Sequence, residues 1–217
     1  MSVPKKHHYL PEFFTHRWAD AHGNLVAYRR PHKELEVKSK HPAATGFKFE
    51  LYANTTKTDP LERQALEMVF MQKVDSHAAE ALKYLEERRA KPPETKLQSA
   101  WSRFLMSLLY RSPERVKYLT EQVRRYEESD LTPQLKAQYA ERRGPDDPET
   151  FDEWFKATGP ATPDLVTRLL RMLIDSENIG SVLNAMHWRV HEADGKFGFV
   201  TGDVPVLMSN GLGTPRG

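Results

Sequence analysis

Residues 59–89 of the chain read DPLERQALEMVFMQKVDSHAAEALKYLEERR, and they carry the strongest structural signal in the sequence. Their apolar residues recur at intervals of three and four, which is the period of an amphipathic helix. Asp59 stands directly before Pro60, a pair typical of a helix start. The carboxylate accepts bonds from free N–H groups, and proline has no N–H that needs a partner. The stretch therefore predicts one long helix over residues 60–89 with one face in the core.

The same helix-start signal recurs four times further along the chain, at Ser112-Pro113, Thr132-Pro133, Asp147-Pro148 and Thr162-Pro163. Apolar residues at helical spacing also fill residues 95–110, before the first of these pairs. The starts and the periodicity together predict helices over residues 95–110, from 113 onward, and over 133–142, 148–157 and 163–178. The middle of the chain is therefore predicted to be helical.

The two ends have strand-like patterns. Residues 24–29, 34–39 and 47–52 are predicted strands near the N-terminus. Residues 186–191 and 197–201 flank Asp194-Gly195, a hairpin signal. We therefore expect a mainly helical α+β fold, with the helical middle packed on a small sheet formed from N- and C-terminal strands. We expect a single domain over 1–217: strands and loops in 1–58, helices in 59–178, a hairpin in 179–208 and a flexible tail in 209–217.

Composition restricts the function classes. The net charge is only +2 and the chain has no cysteine. Disulfides and thiolate metal sites are thus excluded, and a reducing cytoplasm is the expected location. No window has the roughly 18 apolar residues of a membrane helix. The basic runs Arg88-Arg89-Ala90-Lys91 and Arg124-Arg125 allow weak nucleic-acid binding, although such runs are usually solvated helix faces.

The usual catalytic motifs are missing, so candidate residues come from position alone. On a helical wheel, Glu67 falls within the apolar stripe of the long helix, and Asp75 lies at its edge. A buried carboxylate is costly unless paired. Glu67 is therefore either the partner of a buried arginine or a metal ligand or general base. A solvated helix face is sufficient to explain Asp75.

Three further polar residues share this ambiguity. Arg111 closes the helix over 95–110 on its apolar side, where it pairs with a carboxylate or holds a ligand phosphate. His8 lies in an extended segment in which at most one of two neighbouring histidines, His7 or His8, points inward. It is a surface residue, a satisfied core residue or a ligand. Asp203 follows a predicted strand, and it forms a turn or presents a carboxylate to a cleft.

The same segments, in this order, resemble the bacterial family called domain of unknown function 4238. Its members open with His-Tyr-x-Pro-x-Phe, matched here by residues 8–13, and carry a Glu-rich helix, matched by Glu67 and Asp75. An Arg-Ser/Thr-Pro step corresponds to Arg111-Ser112-Pro113. A strand leading to Thr-Ser-Asp-Asn-Pro corresponds to residues 199–205, with Gly202 and Val204 replacing Ser and Asn. The resemblance implies the fold and these positions but no reaction.

Two hypotheses about function follow. In the first, His8, Glu67, Arg111 and Asp203 converge as a catalytic pocket between the helices and the sheet. His8, Glu67 and Asp203 then bind a divalent metal in a metal-assisted hydrolase or nuclease. In the second, the same residues form a buried polar network in a non-enzymatic binding or structural module.

Overall fold

The computed structural model describes the backbone of residues 3–127, 131–145, 147–158, 162–193 and 198–208. The predicted mainly helical α+β class is confirmed. The helices are α1 (Glu12–Thr15), α2 (Pro60–Arg63), α3 (Gln72–Arg88), α4 (Thr95–Tyr110), α5 (Pro113–Glu127), α6 (Leu131–Arg142), α7 (Phe151–Thr158), α8 (Thr162–Ile174) and α9 (Glu177–Ala185). The strands are β1 (Lys6–His8), β2 (Leu25–Arg29), β3 (Glu36–Lys40) and β4 (Phe47–Phe49).

The predicted long helix over residues 60–89 is divided. The Asp59 carboxylate caps α2 by accepting the backbone N–H of Glu62 at 2.9 Å, as the sequence predicts. The helix is interrupted at Gln64, and a π-helix over Leu66–Met71 then leads directly into α3. Because a π-turn closes i→i+5 hydrogen bonds, it advances less than 100° per residue. Residues beyond it are therefore rotated away from where a single α-helical wheel places them.

Both sheets are two-stranded and antiparallel, and both come from the N-terminal part of the chain. β1 pairs with β4, and β2 pairs with β3. The prediction that C-terminal strands join the sheet is wrong for residues 186–193 and 198–208, which contain no strand. The predicted turn at 194–195 and the predicted tail over 209–217 lie outside the described residues. Residues 198–208 instead bond to side chains near the N-terminus, for example to the Trp18 indole N–H, which donates to the Phe199 carbonyl at 2.9 Å.

The core lies where α3 packs against α4, with α8 and α9 also contacting α4, and α5 contacting α8. One continuous cluster of buried apolar side chains joins α3, α4, α5 and α8 to the N-terminal segment. It contains Leu10, Tyr52, Leu66, Phe70, Met71, Val74, Ala78, Phe104, Leu108, Val116, Val123, Val166, Leu170 and Ile174. Within the described ranges, we find no helix with the length and apolar character needed to cross a bilayer.

Candidate functional site

Arg111 is the centre of a buried polar network. It follows α4 directly, and its side chain is only 1% exposed. Its two terminal nitrogens contact both carboxylate oxygens of Asp75 on α3, at 2.7 and 3.0 Å. One also donates to the His8 carbonyl at 2.6 Å, and the other to the Ser107 hydroxyl at 3.3 Å. All four terminal N–H groups therefore have acceptors within the protein.

Tyr52 extends the network to the chain segment after β4. Its hydroxyl donates to the Arg111 carbonyl at 2.6 Å, and its backbone N–H donates to Nδ1 of His7 at 2.9 Å. The rings of His7 and Tyr52 are stacked, with centroids 5.4 Å apart. Burial raises the pKa of the Tyr52 hydroxyl above its ordinary value, so it remains a hydrogen-bond donor. β1 and the segment after β4 are thereby tied to α3 and α4.

Glu67 lies in the π-helix and is buried, as its place on the apolar stripe predicts. It does not form the ion pair with Arg111, however; that pair belongs to Asp75. One Glu67 oxygen, Oε2, is buried without a hydrogen-bond partner. Burial raises the Glu67 pKa to about 7, although the positive charge of Arg111 opposes the shift. The rotation introduced by the π-turn gives a physical reason why Asp75, placed at the stripe's edge by the sequence, reaches the arginine.

His7, rather than His8, is the fully buried histidine of β1. Because His7 Nδ1 accepts the Tyr52 N–H, the proton of the neutral ring resides on Nε2. Burial lowers the pKa of both histidines. His8 contributes its backbone carbonyl to Arg111, whereas its ring nitrogen Nε2 lies 3.5 Å from the Glu12 carboxylate. The imidazole of His8 is therefore not the part of the residue that reaches Arg111.

Asp203 is exposed and meets the N-terminal segment through a different residue. Its carboxylate accepts a hydrogen bond from the Tyr9 hydroxyl at 3.2 Å. Burial, together with the charge of Asp203, raises the Tyr9 pKa to about 12. The two ends of the chain thus meet, but Asp203 contacts Tyr9 and not the Arg111 guanidinium.

The predicted metal ligands are not arranged as a metal centre. Across the described ranges of the chain, no three His, Asp or Glu side chains form a group that could hold a metal ion. His8, Glu67 and Asp203 all lie within those ranges, so they do not form such a group. What the structure brings to Arg111 is the Asp75 carboxylate, two hydroxyls, those of Ser107 and Tyr52, and the backbone carbonyl of His8.

Two cavities lie elsewhere, along the segment that follows α9. The first, which we call the C-terminal cleft, has a volume of about 670 Å³. Its lining consists of Arg89, Ala90, Lys91, Ala185, Met186, His187, Trp188, Arg189, Val190 and His191. A second cavity of about 440 Å³ borders residues 186–191 and reaches apolar side chains of α3, α4 and α9. Neither lining includes Arg111, Asp75, Glu67 or Asp203.

The wall of the C-terminal cleft is held by specific polar contacts. The Lys91 ammonium donates to the backbone carbonyl of Asn184, and it lies 5.4 Å from the centre of the Trp188 ring. The Asn184 side chain bonds to the hydroxyls of Ser102 at 2.7 Å and Ser99 at 3.0 Å, both on α4. These bonds anchor the end of α9, and with it the start of the segment that lines the cleft.

Sequence patterns identify only part of the cleft. Arg89 and Lys91 belong to a basic run that the sequence marks, but Trp188 and Arg189 fall in a predicted strand. Their alternation with Val190 and His191 has the period of a strand, yet no strand partner is present among the described residues. The alternation in residues 188–191 is therefore visible in the sequence. The sequence does not predict that this segment packs beside residues 89–91, because that contact depends on the fold.

Comparison with known proteins identifies a family. The model of the family described as protein of unknown function (DUF4238) matches residues 6–217, which confirms the resemblance drawn from the motifs. Neither the curated proteins nor the solved structures contain a match to the chain.

Proposed function

The chain belongs to the DUF4238 family, and we propose from its own geometry that it is a non-enzymatic binding module. In this proposal the Arg111 network holds the fold and a ligand binds in the C-terminal cleft. The observation that supports it most is the state of the Arg111 side chain. It is buried and all four of its terminal N–H groups have internal acceptors, so of its five N–H donors only the buried Nε–H lacks a partner among the described residues.

A structural role follows from what Arg111 connects. It bonds α3 through Asp75, β1 through the His8 carbonyl and Tyr52 through its own carbonyl. Removing one partner of a buried ion pair leaves the other charge without compensation, which costs about 3–5 kcal/mol. A pair in this position therefore fixes how the N-terminal segment is seated on the helices.

Comparing Arg111→Met with His8→Ala in the full chain tests this role. We expect Arg111→Met to lower the melting temperature strongly, since it leaves Asp75 unpaired. His8→Ala should change it little, because His8 gives the network its backbone carbonyl, which the substitution retains. Equal and small effects of both changes, measured by circular dichroism, would contradict a structural network and favour a catalytic one.

A hydrolase is the second candidate, and one observation favours it. The Glu67 pKa of about 7 suits a general acid or base at neutral pH, and Glu67 Oε2 has no partner. A version with a divalent metal bound by His8, Glu67 and Asp203 requires these side chains to rearrange, because they do not form a metal-binding group in the described residues. Isothermal titration with magnesium, manganese and zinc checks metal binding. Hydrolysis of phosphodiester and ester substrates by the parent, but not by a folded Glu67→Gln variant, would replace the module with this enzyme.

The cellular location and the binding partner are part of the same proposal. We place the protein in the bacterial cytoplasm, which is supported by the absence of cysteine and tested by cell fractionation. Nucleic acid is a candidate partner because Arg89 and Lys91 of the basic run line the C-terminal cleft. Arg124 and Arg125, in the last turn of α5, are exposed and outside that lining.

A further inference from the structure

We propose that the C-terminal cleft binds a nucleotide, either free or at the end of a single strand. This inference rests on the binding-module function and names its ligand. The phosphate contacts Arg89 and Arg189, and the base packs against Trp188. The volume of the cleft, about 670 Å³, lies in the range of roughly 300–1,000 Å³ that is usual for small-ligand sites.

The lining of the cleft is rich in cations. Arg89, Lys91 and Arg189 are three of its ten lining residues, and none of the ten is acidic. The whole chain has a net charge of only +2, so this excess is local. Guanidinium groups bind phosphate oxygens through paired hydrogen bonds. The cleft therefore favours an anion that carries several acceptor oxygens.

One of these cations, Arg89, already forms an ion pair with an acidic side chain. Arg89 contacts the Glu192 carboxylate at 2.6 Å, and both side chains are about two-thirds exposed. Exposed ion pairs of this kind contribute little free energy. A phosphate can therefore displace Glu192 from Arg89 at low cost, and the carboxylate indicates that an anion is geometrically accepted there.

The cleft also has an apolar side. Met186, Trp188 and Val190 alternate with His187 and Arg189 along the lining segment. An indole ring beside a cationic group is a common platform for a nucleobase, and base–aromatic stacking contributes about 1–3 kcal/mol per base. A simple inorganic anion would leave this surface uncovered. A phosphate attached to a planar base satisfies both the cationic and the apolar lining.

Lys91 acts as a positioning residue more than as a direct ligand contact. Its ammonium bonds to the carbonyls of Asn184 and Met186, so it fixes the chain that carries Trp188 and Arg189. The tests therefore use Arg89 and Arg189, whose loss leaves these anchoring bonds in place. Arg124 provides the matched control, since it is an exposed arginine outside the cleft lining.

The experiment measures binding to the full chain by isothermal titration and tryptophan fluorescence at low salt. The probes are adenosine monophosphate, adenosine triphosphate, a short single-stranded oligoadenylate, and phosphatidylcholine vesicles that contain phosphatidic acid. We expect Arg89→Ala and Arg189→Ala each to weaken nucleotide binding by about tenfold, and Trp188→Ala to weaken it by a similar factor. Glu192→Gln should tighten binding, whereas Arg124→Ala should leave it unchanged.

Each other outcome has a fixed meaning. Binding of the oligonucleotide end alone supports the inference and identifies the source of the nucleotide. Absence of nucleotide binding at low salt overturns it, as does binding to the vesicles alone or an equal loss in Arg124→Ala. Recovery of intact nucleotide agrees with a non-enzymatic module. If the nucleotide binds in the cleft and is then hydrolysed in a reaction that depends on Glu67, the nucleotide inference stands. The proposal of a non-enzymatic module is then overturned.

Discussion

Two arginine–carboxylate pairs of almost equal length occupy opposite environments in this protein. Arg111 lies 2.7 Å from Asp75, and Arg89 lies 2.6 Å from Glu192. The side chains of the first pair are 1% and 21% exposed, and those of the second are 64% and 65% exposed. Distance alone therefore does not separate a pair that holds the fold from one that can exchange its partner for a ligand. Burial does, because water competes with and screens the exposed pair.

The surroundings of the two arginines also differ, since Arg111 is enclosed by the protein and Arg89 borders an open cleft. Arg111 has internal acceptors for all its terminal N–H groups, and α3, α4 and β1 converge on it. Arg89 ends α3 in a left-handed conformation (φ 51°) and lines an open cleft. The first arginine is committed to the fold, and the second is available to a ligand.

The largest effect is expected from neutralising one partner of the buried pair. Asp75→Asn leaves a buried guanidinium without its counter-charge, so we expect about 3 kcal/mol or more of lost stability in urea denaturation. The matched change Glu192→Gln should cost less than about 1 kcal/mol, because its pair is exposed. Similar losses in the two variants would remove the distinction between the pairs.

Glu67 gives the buried region a pH dependence. Its pKa is raised from 4.5 to about 7 in the folded protein, so the folded state binds the extra proton between these values. The Glu67 contribution to stability therefore falls as the pH rises through this window, by about 3 kcal/mol in total, whereas His7 and His8, whose pKa values are lowered by burial, oppose it as the pH rises toward 6.5. Glu67→Gln should abolish this slope and stabilise the protein at pH values above the window. The exposed Glu80→Gln should keep the parent profile, and a Glu67→Gln profile with the same slope as the parent would contradict the assignment.

Gly46 positions the segment that brings His8 to Arg111. Its carbonyl accepts the backbone N–H groups of Tyr9 and Leu10 at 2.8 and 3.0 Å. It has φ +63°, and an added Cβ would lie 2.7 Å from Leu10 Cβ. Gly46→Ala should therefore cost about 2 kcal/mol or more, as both strain and the clash contribute.

Gly23 is the control for this change, since it has φ +77° and nothing within 4 Å of an added Cβ. Gly23→Ala should therefore show only the cost of the backbone conformation, about 1 kcal/mol. The difference between the two variants in thermal denaturation measures the clash at Leu10. No difference would mean that the segment is not held against Gly46 as described.

A smaller effect than that of Asp75→Asn is predicted for Tyr52→Phe. The change removes one hydroxyl and its bond to the Arg111 carbonyl, while the stacking on His7 remains. We expect a loss of about 1 kcal/mol in urea denaturation, with a two-state transition retained. A loss as large as that of Asp75→Asn would show that the carbonyl bond, and not the ion pair, dominates the network.

The local features of the fold are predictable from sequence. The Asp59 cap and the inward placement of Glu67 and Arg111 follow from side-chain chemistry and the helical period, and the structure has all three. The helix starts at Ser112 and Thr162 also agree with the structure, whereas α6 and α7 begin away from their predicted proline pairs. Caps and periodicity act over a few residues, so a single sequence contains them.

The pairings that define the two regions are not local. Asp75 reaches Arg111 after a π-turn whose rotation no helical wheel includes, and the two residues are separated by 36 positions. His7, not His8, is buried, because the register of β1 against β4 decides which face turns inward. The cleft joins residues 89–91 to 185–191, and the strand-like alternation of residues 186–191 gives no indication of that meeting.

The most direct test of the account measures the nucleotide affinity of a variant that lacks the buried charges. Arg111→Met combined with Asp75→Leu replaces the ion pair with apolar side chains, a change that often preserves folding. We expect the folded double variant to bind adenosine triphosphate as the parent does, within about twofold, because the cleft is intact. A folded double variant that no longer binds the nucleotide would contradict it, since Arg111 and Asp75 would then belong to the binding site itself.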